Sequence, residues 1–355
     1  MMKTKVNCGG IEIGGDASVS IQSMTNTKTA DTEATIAQCR RLMEAGCDII
    51  RITVNTKEAA EGFARIRKKI DAPLVADIHF DYTLALAAIN AGADKIRINP
   101  GNIGDTDRVR QVANACAKAG IPIRVGVNSG SLEKEILAKY GGVCAAGLAE
   151  SAIKNAAILE RLGFNDIVLS LKASDVRMNN EAYRIVDKKS CYPLHIGVTE
   201  AGTVSSGIIK SSIGIGALLL DGIGDTMRVS LTADPVREVA AAKEILKALD
   251  LREGAIEIVS CPTCGRTEVD LEKIASEIEA RLSVIEAARA GGKKLKVAVM
   301  GCAVNGPGEA KEADIGVACG RGEALIFRRG EIIKKVKESE ITEETARIVR
   351  EYENL

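Results

Sequence analysis

The sequence predicts a (β/α)8 barrel of the TIM type followed by a smaller α+β domain. Between about residues 18 and 250, short runs rich in β-branched residues alternate with amphipathic helical stretches, the pattern of parallel βα units. Eight such units match the usual barrel length of about 250 residues. Beyond residue 252 several strands follow one another, with two helices among them. We therefore predict residues 1–252 as the barrel and residues 253–355 as a second domain.

The barrel strands are predicted from eight short runs. In chain order they are SVSIQSM (18–24), DIIRITV (48–54), PLVADIH (73–79), DKIRINP (94–100), IPIRVGV (121–127), DIVLSLK (166–172), PLHIGVT (193–199) and TMRVSL (226–231). The first helix is predicted to begin after an N-cap at Asp31 and to stop at Gly46, and helical stretches follow nearly all the other strands. A doubly wound open sheet is the alternative, but the GxGxxG loop expected after its first strand is absent from the sequence.

The second domain has elements of its own. Its strands are predicted at AIEIVS (255–260), KVAVMG (296–301), ADIGVAC (313–319), ALIFRR (324–329) and EIIKKV (331–336). A long helix is predicted over residues 271–291 and a final helix over residues 341–354.

Composition argues against two function classes. Lys plus Arg and Asp plus Glu balance at 48 each, aromatic residues make up 3% of the chain, and Trp is absent. A nucleic-acid-binding protein is therefore not expected, and no run approaches the roughly 20 apolar residues of a membrane span. The start of the sequence has no apolar signal core, and ten cysteines without a disulfide framework fit a reducing compartment, so we expect a cytoplasmic protein.

Three cysteines and a glutamate near the C-terminus form a candidate metal centre. Cys261 and Cys264 stand in SCPTCGR, and Cys302 and Glu309 stand in MGCAVNGPGEA. A CxxC pair with a later third thiolate is typical of zinc or iron–sulfur sites. The glycines and proline before Glu309 allow a tight turn toward the same metal, which favours an iron–sulfur cluster with one exchangeable iron. A structural zinc held by the three thiolates and Cys319 is the alternative.

Basic residues recur in the predicted barrel strands. Parallel barrel strands are normally apolar, and an isolated buried charge is costly, so five cations on five strands indicate a shared anion. Arginine suits phosphate or diphosphate, and barrel active sites lie at the C-terminal strand ends. Asn128 and Ser230 follow Arg124 and Arg228 at even spacing, so they would add neutral donors on the same side. The five cations are Arg51, Arg97, Arg124, Lys172 and Arg228.

Four further polar residues belong to the third and seventh predicted strands. They are Asp77, His79, His195 and Glu200, which could act as general acids or bases or hold substrate hydroxyls. Glu200 is favoured because it lies at the far end of its strand beside glycine, where its carboxylate would face the bound anion. His195 begins its strand and could instead serve only the backbone.

Long stretches of the sequence resemble one enzyme family. They are QSMTNT (22–27), ADIHFDYTLALAAINAGADKIRINPGN (76–102), RVGVNSGSLE (124–133), HIGVTEAG (195–202), SCPTCGRTEVDL (260–271) and GCAVNGPGEAKEADIGVACG (301–320). On these residues the chain resembles the bacterial 4-hydroxy-3-methylbut-2-enyl diphosphate synthases, reductive enzymes late in the methylerythritol phosphate route to isoprenoids. The likeness runs nearly end to end, with no room for the extra central domain of the plant-type enzymes.

The resemblance implies a barrel followed by a ferredoxin-like domain similar to a sulfite reductase module. It implies a 4Fe–4S cluster, a cyclic diphosphate substrate gripped by the five cations with Asn128 and Ser230, and a role for Glu200 near the reacting carbons. Ferredoxin or flavodoxin would donate two electrons, and a homodimer would share each active site between its subunits. The implied cluster ligands are Cys261, Cys264, Cys302 and Glu309.

A different class of protein remains as the alternative. It is a phosphate-ligand-binding barrel, either a non-redox synthase or aldolase or a sensor, whose second domain is held together by structural zinc.

Overall fold

The computed structural model describes residues 3–289, 292–302, 308 and 312–353. The chain forms two compact units, Met1–Ile245 and Leu246–Leu355, which divide within the helix Pro235–Ala248. The domain boundary expected from the sequence, between residues 252 and 253, lies slightly further along the chain and stays a prediction.

A short antiparallel hairpin precedes the barrel. Its strands are β1 (Val6–Cys8) and β2 (Ile11–Ile13). Val6, Cys8 and Ile13 pack with Ile49 and Val75 from the first residues of two barrel strands. The hairpin therefore covers the N-terminal end of the barrel and leaves the opposite end for a ligand.

In the part of the chain that the structure describes, eight parallel strands form the first unit's sheet. They are β3 (Ser20–Met24), β4 (Ile49–Thr53), β5 (Leu74–Asp77), β6 (Lys95–Ile98), β7 (Ile123–Asn128), β8 (Ile167–Lys172), β9 (His195–Ile196) and β10 (Thr226–Met227). Their spatial order is β8-β7-β6-β5-β4-β3-β10-β9, and a bridge between Leu169 and Leu194 closes the ring. The predicted barrel is confirmed, and the doubly wound alternative is wrong.

Helices surround this ring. They are α1 (Thr32–Glu44), α2 (Lys57–Arg67), α3 (Tyr82–Asn90), α4 (Pro100–Ile103), α5 (Thr106–Ala119), α6 (Lys134–Tyr140), α7 (Ala145–Arg161), α8 (Val176–Lys189), α9 (Val204–Leu220) and α10 (Pro235–Ala248). The Asp31 carboxylate accepts the first-turn N–H of Ala34, and the chain leaves α1 through Gly46, whose φ is 83°. The predicted limits of this helix are thus confirmed.

The second unit packs helices against one mixed sheet. Its elements are β11 (Ile256–Ser260), α11 (Leu271–Ala288), β12 (Leu295–Met300), β13 (Ile315–Gly320), β14 (Glu323–Arg328), β15 (Glu331–Lys337) and α12 (Ile341–Glu353). The strands lie in chain order, with β11, β12 and β13 parallel and β14 and β15 antiparallel. Ile278 and Leu282 of α11 and Val349 of α12 share a core with Val297 and Ile326 of the sheet. The predicted small α+β domain is confirmed.

None of the described helices is both long and apolar enough to cross a membrane.

Candidate functional site

Nine of the predicted site residues meet in one cavity at the C-terminal ends of the barrel strands. The cavity measures about 130 Å³. That is smaller than the roughly 300–1,000 Å³ of a typical drug-sized ligand site, so it fits a compact head group. Its lining consists of Arg51, Asp77, His79, Arg97, Arg124, Gly126, Asn128, Ser170, Lys172, Thr199, Arg228 and Ser230. We call it the anion cavity.

Strand register explains why the cations converge. Arg97 on β6 lies directly opposite Asp77 on β5 and Arg124 on β7. Asn128 at the end of β7 lies opposite Lys172 at the end of β8. Register partners on parallel strands point to the same face, which here is the barrel interior.

Asp77 holds two of the cations in place. Its carboxylate lies 3.8 Å from Arg51 Nε and 3.3 Å from Arg97 Nη1. Burial raises the pKa of the Asp77 carboxyl, but the guanidiniums of Arg51 and Arg97 outweigh burial and keep that pKa below its usual value. Asp77 is therefore a charged support for the cations rather than a proton donor, which narrows the role expected from the sequence.

Glu238, a residue that the sequence analysis missed, supports a third cation. Its carboxylate accepts hydrogen bonds from Nε and Nη2 of Arg228 at 3.1 and 3.0 Å. It also accepts from the Ser23 hydroxyl at 2.9 Å and from the Leu231 N–H at 3.1 Å. Glu238 is in the first turn of α10, and helices of this barrel begin at the cavity end. Its place at the start of a barrel helix is the feature of the sequence that could have indicated a position near the cavity.

Arg124 and Lys172 are the least compensated cations. Arg124 is 1% exposed, and its Nε and Nη1 are buried without a hydrogen-bond partner among the described residues. Burial and the neighbouring guanidiniums of Arg51 and Arg97 hold the pKa of Arg124 well below its usual value. Burial, Arg124 and Arg228 do the same to the pKa of Lys172. An anion in the cavity would relieve both groups.

His195 lies behind the cavity rather than in its lining. It is fully buried at the start of β9, with Nε2 3.4 Å from Lys172 Nζ and Nδ1 3.4 Å from Thr226 Oγ1. Its carbonyl accepts from the Tyr183 hydroxyl at 2.7 Å. His195 therefore contacts a cation that lines the cavity, and its direct contact with substrate stays a prediction.

Glu200 does not join the cavity lining. Its side chain is exposed, and its backbone takes a left-handed conformation with φ 52°, which is uncommon for a residue other than glycine. The sequence predicts Glu200 at the end of its strand, facing the anion. Here β9 ends at Ile196, so Glu200 belongs to the following loop.

Two glycines that the sequence analysis passed over make room for the cations. A Cβ on Gly126 would lie 2.5 Å from Arg97 Nε, and one on Gly197 would lie 2.9 Å from Lys172 Nζ. Ser170 and Thr199 also line the cavity, and neither was predicted from the sequence. Small residues in strands mark such close approaches, and that signal was available in the sequence.

The predicted thiolate ligands follow the ends of two neighbouring parallel strands in the second unit. Cys261 follows β11 and Cys302 follows β12, which pair through Ser260 and Val299. The Gly301 N–H donates to Cys261 Sγ at 3.3 Å, and a Cβ on Gly301 would lie 2.9 Å from Thr267 Cγ2. N–H groups directed at sulfur are typical of iron–sulfur and zinc thiolates, so this donor set fits a soft metal centre.

Cys264 is also chemically suited to metal binding. Its side chain is exposed, and hydrogen bonds from Arg266 lower the pKa of its thiol. Glu309 lies outside the described residues. Within the described ranges, no group of three or more His, Cys, Asp or Glu side chains is arranged to hold a metal ion.

Cys319, the fourth ligand of the zinc alternative, is in the apolar core of the second unit. It is fully buried in β13 with Val317 and Ile326, and burial raises the pKa of its thiol to about 12. A thiol in such surroundings resists ionisation, which disfavours it as a metal ligand.

Comparison with protein families covers both units. A model described as the GcpE TIM-barrel domain matches residues 3–243, and one described as the GcpE protein C-terminal domain matches residues 257–351. The chain belongs to the GcpE family. The match of both family domains confirms the family resemblance found in the sequence.

Curated relatives of this GcpE chain share one name, 4-hydroxy-3-methylbut-2-en-1-yl diphosphate synthase (flavodoxin). That of Clostridium perfringens is 58% identical over 345 residues, which cover 97% of each chain. That of Ruminiclostridium cellulolyticum is 56% identical over 347 residues, covering 98% of this chain and 97% of its own. That of Geobacillus kaustophilus is 57% identical over 339 residues, covering 96% and 89%.

Among solved structures, a truncated 3-deoxy-D-arabino-heptulosonate 7-phosphate synthase from Thermotoga maritima matches the GcpE chain with a TM-score of 0.50. The two are 15% identical, and the match covers 70% of this chain and 94% of the other. At that identity the likeness shows the barrel fold alone.

Proposed function

We propose that this chain reduces 2-C-methyl-D-erythritol 2,4-cyclodiphosphate to 4-hydroxy-3-methylbut-2-enyl diphosphate, with flavodoxin supplying two electrons. The curated relatives are named for that product and that donor. The observation that carries the proposal is the anion cavity, in which four cations on barrel strands and Arg228 just after β10 surround a space suited to a diphosphate.

Charge balance in the anion cavity favours a polyanion. When all five cations are protonated, as they would be with an anion bound, the paired carboxylates of Asp77 and Glu238 leave an excess of three positive charges. Hydrogen bonds between charged partners contribute about 1.5–3 kcal/mol each, so several of them account for tight binding of a diphosphate. A neutral sugar or a monocarboxylate would leave most of this excess uncompensated.

The proposal includes a 4Fe–4S cluster held by Cys261, Cys264, Cys302 and Glu309. The thiols after β11 and β12 and the lowered pKa of the Cys264 thiol support it. Once bound, such a cluster would supply electrons one at a time and Lewis-acid chemistry at an iron held by a carboxylate.

The chain's own residues bind and orient the substrate. Arg124 and Lys172 would meet the substrate with charge that no ion pair of the described chain compensates, and Asn128 and Ser230 would add neutral donors. Glu200, on the loop after β9, is proposed to act near the reacting carbons. Buried guanidiniums held by Asp77 and Glu238 need little reorganisation when the ligand arrives, which favours precise positioning.

We also propose a cytoplasmic homodimer in which each active site uses the barrel of one subunit and the cluster domain of the other. The ten cysteines are free thiols, as suits a reducing compartment. Co-expression of an Arg124→Ala subunit with a Cys264→Ser subunit tests the arrangement. Shared sites predict partial recovery of activity in the mixed dimer, whereas sites confined to one subunit predict none.

Anaerobic purification followed by iron, acid-labile sulfide and zinc analysis tests the main proposal. We expect about four irons and four sulfides per chain. We also expect turnover of the cyclic diphosphate with reduced flavodoxin. Stoichiometric zinc without sulfide, or a loaded protein that neither binds nor reduces the cyclic diphosphate, would overturn it in favour of a non-redox, zinc-stabilised barrel.

A further inference from the structure

We propose that the anion cavity binds its substrate together with a proton, that Lys172 takes up this proton, and that His195 is the positioning residue that holds the Lys172 amine at the cavity. The inference rests on the proposed function, because it uses the cyclic diphosphate as the ligand.

Lys172 differs chemically from the other four cations. A guanidinium stays protonated in proteins, whereas a lysine amine can lose its proton. Within the described lining of the anion cavity, His79 is the other basic group whose charge can change. It lies at the rim, with its side chain 45% exposed and Nε2 3.9 Å from Asp77. Lys172 is 7% exposed, so water does little to screen it.

The surroundings of Lys172 are dominated by positive charge. The carboxylates are already engaged, Asp77 by Arg51 and Arg97 and Glu238 by Arg228. Without a ligand, burial and these cations therefore shift the protonation equilibrium of the Lys172 amine toward its neutral form. The charged and titratable groups around it are Arg51 on β4, Asp77 at the end of β5, His79 after β5, Arg97 on β6, Arg124 on β7, His195 on β9, Arg228 after β10 and Glu238 on α10.

His195 is built to accept a hydrogen bond from Lys172. Burial and the nearby cations hold the pKa of His195 well below its usual value, so its imidazole is neutral. A proton on Nδ1 can be donated to Thr226 Oγ1, which leaves the Nε2 lone pair directed at Lys172 Nζ, 3.4 Å away. The Tyr183 hydroxyl fixes His195 by bonding its carbonyl, and Tyr183 also accepts the Leu171 N–H at 3.1 Å.

The backbone keeps the amine in this place. Because a Cβ on Gly197 would lie 2.9 Å from Lys172 Nζ, the side chain passes close over that glycine. The amine is thus held between a neutral acceptor and the cavity, where an arriving phosphoryl oxygen becomes its second partner.

Substrate binding changes the electrostatic environment of Lys172 from positive to negative. Negative phosphoryl groups beside Lys172 favour the ammonium form, so the pKa of Lys172 rises on binding and a proton enters from the solvent. The cyclic diphosphate itself is a clean probe. Each of its phosphorus atoms has a single acidic oxygen, so it lacks the second ionisation near pH 6 of a phosphate monoester.

Calorimetric titration of the anaerobic, oxidised holoenzyme with the cyclic diphosphate tests the inference, because no turnover occurs without a reductant. Heats measured at one pH in buffers of different ionisation enthalpy give the protons taken up on binding. Between pH 7 and 9 we expect uptake of up to about one proton per site. Lys172→Arg keeps the positive charge but cannot change it, so this variant should bind the substrate with no linked proton.

Matched variants test whether a group other than Lys172 takes up the proton. His79→Ala and Lys95→Met, which remove the other titratable liner and another buried lysine, should retain the uptake. His195→Leu should shift the alkaline limit of uptake to lower pH, and His195→Gln, which keeps an acceptor, should restore it. Binding without proton uptake, or unchanged uptake in Lys172→Arg, would overturn the inference. No binding at all would instead count against the proposed function.

Discussion

Two carboxylates form ion pairs with some of the cavity's cations and leave the others without a charged partner among the described residues, a role that a ligand can fill. Asp77 shares its charge between Arg51 and Arg97, and Glu238 accepts hydrogen bonds from Nε and Nη2 of Arg228. Arg124 has neither partner, and its Nε and Nη1 lack hydrogen bonds within the described chain. Burying such a group stores unfavourable free energy that an anion can relieve. Arg124 is therefore expected to contribute more to ligand affinity than to folding.

Arg124→Ala should weaken binding of the cyclic diphosphate by about 10- to 100-fold, because a charge-assisted hydrogen bond contributes about 1.5–3 kcal/mol. Thermal unfolding should change little or shift upward, since an uncompensated buried charge is removed. Calorimetric binding and a thermal melt measure the two effects. Arg110→Ala, which removes an exposed pair with Asp107, is the matched control and should leave affinity unchanged.

The thiols divide into ligands and core residues. Cys302→Ser should abolish most iron binding, whereas Cys319→Ala should keep iron and sulfide at the level of the unmodified protein. Cys319 packs with Val317 and Ile326, so its removal should lower stability by about 1–2 kcal/mol through lost packing. Iron and sulfide analysis after anaerobic purification measures the first effect. Loss of iron in Cys319→Ala would favour the zinc-type ligand set.

Glu309 is the remaining proposed ligand. Glu309→Gln removes the negative charge but keeps the shape, so the three thiolates should still bind iron while turnover with reduced flavodoxin falls by at least 10-fold. Full activity in this variant would remove Glu309 from the ligand set.

The strands present the cations, and glycines in those strands make the space for them. Gly126 on β7 lets the Arg97 guanidinium lie across it, with Arg97 Nη2 3.4 Å from the Gly126 carbonyl. Gly197, just beyond β9, does the same for Lys172. Polar networks fix the loops after β6 and β7: Asn155 on α7 accepts the Gly101 N–H at 2.9 Å and donates to Glu133 at 2.9 Å. The cavity is therefore set by backbone positions as much as by the cations themselves.

Gly126→Ala tests this idea. Its Cβ would lie 2.5 Å from Arg97 Nε, so the guanidinium must move away from Asp77 and the cavity. We expect a loss of substrate affinity of about 10-fold or more, equivalent to about one charged hydrogen bond, in a barrel that still folds. Gly216→Ala on α9 is the matched control. Nothing lies within 4 Å of that added methyl group, and alanine favours helix, so stability should rise slightly and affinity should not change.

The cations of the cavity could be predicted from the sequence, but the residues that position them could not. Arg97 and Arg124 were predictable because a charge within a parallel barrel strand is costly to bury unless a ligand or a counter-ion compensates it. Glu238 was not predicted, because a glutamate in the first turn of a helix is ordinary and its partner Arg228 belongs to another element. Glu200 was assigned to the strand end because sequence alone could not show that β9 stops at Ile196.

The barrel buries several basic groups, and these groups influence the stability of the folded state. Lys95 and Lys172 are buried together with Arg124 and His195, and the native chain excludes a proton from the imidazole that the unfolded chain would accept. A basic group that stays neutral in the native state makes the free energy of unfolding fall as pH drops. A histidine whose charge is stabilised by an ion pair has the opposite effect. Asp77, whose pKa is lowered, loses its stabilising effect only in stronger acid, below its usual value near 4.

His195 should therefore make the native protein sensitive to mild acid. Since the unfolded imidazole titrates near 6.5 and the native one well below it, the unfolding free energy should fall as pH drops below about 6.5. The decrease reaches up to about 1.4 kcal/mol per pH unit. Denaturant unfolding of the oxidised protein between pH 5 and 7.5 measures this slope. His195→Gln should reduce it, because the amide does not titrate, whereas His79→Ala, at the exposed rim, should leave it nearly unchanged. Equal slopes in the unmodified protein and His195→Gln would mean that a group other than His195 causes the acid sensitivity.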